Sequence, residues 1–71
     1  MNKSTVGVGL KLLRTSAGLT LESVANRSGF SPSYISRVEN GRTEPTPEWT
    51  KDFVRAVGEI ASERTKFTPA A

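Results

Sequence analysis

Residues 21–40 read LESVANRSGFSPSYISRVEN, and Gly41 follows. Two short helices meeting at one tight turn account for this stretch position by position. Thr20 caps the first helix, and Glu22 in its first turn sets a carboxylate against the positive end of the helix dipole. Val24 and Ala25 face inward, with Ala25 small enough for the two helices to approach closely. Ser28 and Gly29 close the helix, because a residue just past a helix end often takes a positive φ, which glycine adopts without steric cost. Phe30 plugs the corner. Ser31 and Pro32 restart helix at once: the hydroxyl caps free N–H groups, and proline at the first helical position loses nothing by lacking its own. Ile35 and Val38, three apart, anchor this helix on the core, and Asn40 with Gly41 stops it.

Outward from that unit, Val6, Leu10 and Leu13 recur at helical spacing and predict an earlier helix with those three as its buried stripe. Ser4 or Thr5 caps it, and Ala17 with Gly18 ends it. Gly7 and Gly9 each weaken its first turns by ~1 kcal/mol relative to alanine, so ordered helix is expected to begin late. After a loop at residues 42–46, Thr46, Pro47 and Glu48 repeat the start signal of hydroxyl, proline and acid. Trp49, Phe53, Val54 and Val57 then make an apolar face. Beyond Gly58, residues Ile60, Ala61 and Arg64 keep a helical period to about residue 65, as a short fifth helix or a continuation of the fourth. Periodicity fades there, and residues 67–71 read as a frayed tail in which Phe67 alone favours burial. The expected fold is all-α, a four- to five-helix bundle forming one domain over residues 1–66.

Composition narrows function. The chain of 71 residues has neither cysteine nor histidine, which removes disulfides, thiol chemistry and the usual zinc sites. General acid–base catalysis loses its commonest residue, and a chain 35% apolar at this length has little volume for a deep pocket. Neither an enzyme nor a metal or cofactor site is expected. No apolar run approaches the roughly 20 residues of a membrane span, and the first residues lead into no signal-peptide core, so a cytoplasmic place is expected, at the nucleoid or in a host cell if phage-encoded. The net charge of +3 is unevenly distributed. Lys3, Lys11, Arg14, Arg27, Arg37 and Arg42 stand against Glu22 and Glu39 in residues 1–43, a balance of +4, whereas residues 44–71 carry −1. The basic excess travels with the two-helix unit, as a polyanion partner requires.

The chain resembles the Cro and phage-repressor type of helix-turn-helix protein, also called the lambda-repressor-like or XRE family. The resemblance runs from about Leu10 to Val57 and rests on Leu13-Arg14, Gly18-Leu19-Thr20, Val24-Ala25, Ser28-Gly29, Tyr34-Ile35-Ser36-Arg37-Val38-Glu39-Asn40-Gly41 and Pro45. It implies a sequence-specific transcriptional regulator, most simply a repressor, that inserts helix 31–40 into the major groove of a double-stranded DNA operator. Proteins of this kind usually bind palindromic sites as dimers.

By the same resemblance, Ser33 and Arg37 occupy positions that touch base edges. Pro32 occupies a third, where it offers only apolar contact to a thymine methyl, and Ser36 lies on the same exposed side. Arg37 is the strongest specificity candidate, since a guanidinium bonded bidentately to guanine is worth roughly 1–3 kcal/mol of discrimination. Tyr34, Thr20, Leu21, Arg42 and Thr43 match positions near phosphates, Leu21 through its backbone N–H. Arg14 and Glu39 match a partly buried structural ion pair and belong to no DNA contact. The apolar content of residues 49–67 exceeds what one small core needs, so Trp49, Phe53, Ile60 and Phe67 are the expected homodimer contact. Only about 14 residues follow Val57, too few for a sensor domain, so no small-molecule effector is expected. Two other readings share the sequence: the DNA-binding antitoxin of a toxin–antitoxin pair, and a DNA-free interaction adaptor.

Overall fold

Thr5–Ser16 forms α1, Leu21–Ser28 α2, Pro32–Glu39 α3 and Pro47–Lys66 α4. The computed structural model describes residues 5–66, with side chains through residue 64, and all regular structure among them is helical. Local chemistry sets the boundaries. The Thr20 hydroxyl accepts from the backbone N–H of Ser23 at 3.0 Å and starts α2. Gly29, at φ 82°, ends it with its N–H on the Ala25 carbonyl. Ser31 caps α3 by accepting from Tyr34, with Pro32 at the first helical position, and Thr46 caps α4 by accepting from Trp49 at 3.1 Å.

The core lies where all four helices meet. Val24, Ile35, Val38 and Phe53 are the largest fully buried side chains, with Leu10, Leu19, Ala25, Ala56 and Val57 around them. α4 packs on α2 and α1, and α1 packs on α3. Trp49 is the hinge of an aromatic cluster: its ring stacks on Phe30 at 4.7 Å and on Phe53 at 5.4 Å, and Tyr34 meets it edge-on at 5.3 Å. Such contacts add about 0.5–1.5 kcal/mol each to the burial of the rings. They join the corner of the two-helix unit to the start of α4.

The structure differs from expectation at both ends of the bundle. Helix α1 turns a different face inward: Gly7, Leu10 and Arg14 are buried, whereas Val6 and Leu13 are 42% and 38% exposed. The reason is steric. A Cβ on Gly7 would lie 1.8 Å from the Val38 carbonyl oxygen, so α1 crosses the end of α3 with backbone almost against backbone. That approach requires glycine, and helix is present from Thr5 rather than starting late. Val54 likewise points outward instead of joining the apolar face of α4. Of the two readings beyond Gly58, continuation holds: α4 runs through Gly58 to Lys66, with no separate fifth helix among the described residues, and residues 65 and 66 leave the expected fading end. Phe67 and the rest of the expected tail lie outside the described residues.

The C-terminal half of α4 is held on two sides. Arg27 of α2 donates to Glu59 at 3.3 Å and to Glu63, while Arg64 donates to the carbonyls of Ala17 and Gly18 at 3.3 and 3.4 Å. These bonds carry the helix past the point where its glycine weakens it.

Candidate nucleic-acid interface

Helix α3 splits cleanly into two faces. Ile35, Val38 and Glu39 are buried, so Pro32, Ser33 and Arg37 stand exposed on the other side, with Ser36 half-buried beside them. Spacings of three and four residues put Ser33, Ser36, Arg37 and Asn40 on one outward stripe. Asn40 donates through Nδ2 to the Ser36 hydroxyl at 3.4 Å. That contact makes Asn40 part of the stripe, a role missed when it was read only as a stop signal; its place four residues after Ser36 is the signal that could have revealed it. The Arg37 guanidinium forms no ion pair among the described residues, so its charge and its donors face solvent.

Backbone geometry places the loop that follows. The N–H of Gly41, at φ 76°, bonds to the Val38 carbonyl, and the N–H of Arg42 bonds to the Arg37 carbonyl at 2.8 Å. This pair of bonds is the Schellman closure of a helix end. It fixes Arg42, exposed and without an ion-pair partner among the described residues, at the foot of the exposed stripe. Thr43 is half-buried next to it. Tyr34 is half-buried too, its ring held against Trp49.

At the other flank, exposed Thr20 opens α2, and the Leu21 side chain packs on the core. Leu21 therefore has only its backbone to offer a ligand; amide groups at a helix start point out of the helix end and favour an anion, and here the one on Ser23 is taken by the Thr20 hydroxyl. Arg64, not expected at the site, lies beside this turn through its bonds to the residues before it. It has no carboxylate partner among the described residues, and nothing short of the fold places residue 64 near residue 18.

Arg14 and Glu39 lie beneath this surface. Nε and Nη2 of Arg14 donate to the two Glu39 carboxylate oxygens at 2.8 and 2.9 Å, and Nη1 donates to the Leu19 carbonyl at 2.9 Å. The hydrogen bonds to Glu39 raise the Arg14 pKa above its ordinary value, against the opposing effect of burial. Arg27 is raised as well, chiefly by its bonds to Glu63 and Glu59, so its charge is engaged at the far end of α2. The expected dimer residues divide. Phe53 has no exposed surface and belongs to the core, Trp49 and Ile60 are half-buried against it, and Phe67 is not among the described residues.

Two short helices at a glycine corner, the second with a buried rear and a polar front bearing an unpaired arginine, define a helix-turn-helix DNA-binding protein of the XRE-like kind. Residues 5–67 match the family described as Helix-turn-helix domain, and the chain belongs to that family. It is 41% identical over 56 residues to an uncharacterized HTH-type transcriptional regulator, y4dJ, of Sinorhizobium fredii (strain NBRC 101917 / NGR234), a match covering 79% of this chain and 73% of that protein. No solved structure matches the chain.

Proposed function

We propose that this protein is a transcriptional regulator that reads a two-fold symmetric DNA operator, each of two copies laying α3 in a major groove. The observation that carries the reading is the outward stripe of α3, where Arg37 is exposed and unpaired while the rear of the same helix is sealed into the core. A guanidinium so placed suits guanine O6 and N7, and Ser33, Ser36 and Asn40 beside it are short polar groups that fit base edges. Pro32 contributes at most apolar contact. Thr20, the Leu21 backbone N–H, Tyr34, Arg42 and Thr43 sit to either side, where phosphates flank a groove-bound helix. Repression by occluding a promoter is the simplest consequence of such binding.

Selection of bound sites from random duplex DNA tests the reading. Enrichment of a motif with two inverted half-sites, bound with an affinity that falls steeply with salt, is the expected result. Failure to enrich any motif, with no salt-dependent binding, overturns it.

A further inference from the structure

The large apolar side chains left exposed are not scattered. Val6, Val8, Leu12 and Leu13 are on α1 and Val54 is on α4, with Leu12 61% exposed. Helical spacing gathers Thr5, Val6, Val8, Gly9, Leu12, Leu13 and Ser16 on the outer side of α1, none of them charged, with exposed Lys11 at the edge next to Val8. In a chain 24% charged, an uncharged helix face of this length is unusual for one meant only for water.

Val6 also lines an open pit of about 520 Å³ with Glu44, Pro45, Pro47, Thr50 and Lys51. That shared lining sets Val6, at the edge of the outer stripe of α1, beside the start of α4, and Val54, one turn beyond Thr50 and Lys51, extends the patch along α4. The acid and the base at the pit, Glu44 and Lys51, form no ion pair among the described residues.

We propose that this face, and not the side of α4 bearing Trp49, Phe53 and Ile60, is where a second copy of the chain docks. Three features select a copy of itself. A two-fold contact sets a patch against the same patch, so an uncharged apolar centre meets its like without desolvating any charge. The same symmetry lets Glu44 face the partner's Lys51, and Lys51 the partner's Glu44, so both unpaired charges are matched. Glu44 and Pro45 directly follow Arg42 and Thr43, so the face adjoins the loop at the end of α3, and a copy docked there brings its own α3 to the same side. This last point rests on the operator reading above; the apolar and charge arguments do not.

Sedimentation of the full chain without DNA, together with binding to duplexes holding one or two half-sites, tests the proposal. Val54→Glu puts a charge in the contact while leaving the core intact, which circular dichroism verifies. The parent chain is expected to dimerise with concentration, or to bind paired half-sites cooperatively, and Val54→Glu to weaken that association at least about tenfold. Glu44→Lys and Lys51→Glu should each weaken it in sedimentation, and the two together should restore it. Single half-site affinity should be unchanged in Val54→Glu. A parent that is monomeric at every concentration and binds paired sites without cooperativity overturns the proposal, as does any association indifferent to Val54→Glu or unrestored by the charge swap. If no duplex is bound at all, the operator reading fails, and sedimentation alone decides the contact.

Discussion

Arg14 and Glu39 stand 25 residues apart in sequence and meet in the interior through two hydrogen bonds, at 2.8 and 2.9 Å. With the third bond from Arg14 to the Leu19 carbonyl, they tie the end of α1, the approach to α2 and the end of α3 at one point. The outward stripe of α3 is thus oriented from behind by a buried ion pair. Because the Arg14 pKa is raised, the guanidinium adds stability at every pH below its ordinary value and loses it only in strong alkali, so its own titration leaves stability flat across the neutral range.

Glu39→Ala leaves Arg14 charged and buried without its partner, and should lower unfolding free energy by roughly 3–5 kcal/mol, a large part of a small domain's margin. Replacing both residues by apolar side chains of similar volume should recover most of that loss. Urea denaturation of the parent and the two variants checks the order. A single and a double variant equally unstable would show that packing, not the unpaired charge, sets the cost.

Gly7 and Gly9 should respond oppositely to alanine. At Gly7 the new methyl meets the Val38 carbonyl at 1.8 Å, so α1 must lift from α3, at a cost of at least about 1–3 kcal/mol. At Gly9 nothing lies within 4 Å, and alanine should stabilise the helix by about 0.4–1 kcal/mol. Thermal melts of the two variants give the sign of each.

Arg27→Ala should leave DNA affinity almost unchanged. Its guanidinium is bonded to Glu59 and Glu63 on α4, so its charge is locally matched and adds little to the field at the interface. Titration of a duplex at several salt concentrations checks this; a shallower salt slope in the variant would place Arg27 among the phosphate contacts.

The two-helix unit was the most legible part of the chain, because its caps, its glycine corner and the pair Ile35 and Val38 depend on local chemistry that sequence displays. The phase of α1 was not. Its inward face is made of Gly7, Leu10 and Arg14, a small, an apolar and a charged residue, while its apolar side chains stand outside. Periodicity finds such a stripe but cannot tell a buried one from one held for a partner. Phe53 shows the converse: apolar content that composition counts as surplus to a small core is core here, closed by the stacking of Trp49 between Phe30 and Phe53. Arg64 joins the site only through the fold, across 46 residues, whereas Asn40, just past the end of α3, joins it through a local bond to Ser36.

If the exposed face of α3 reads bases while the loop behind it grips the backbone, Arg37→Ala and Arg42→Ala should behave differently on a set of single-base operator variants. Arg37→Ala should erase about 1–3 kcal/mol of preference at one base position in each half-site and leave the others as they were. Arg42→Ala should weaken binding evenly on every duplex and make the salt dependence shallower by about one unit of slope. Equal losses on all sequences from both substitutions would contradict the account, because Arg37 would then be only another charge.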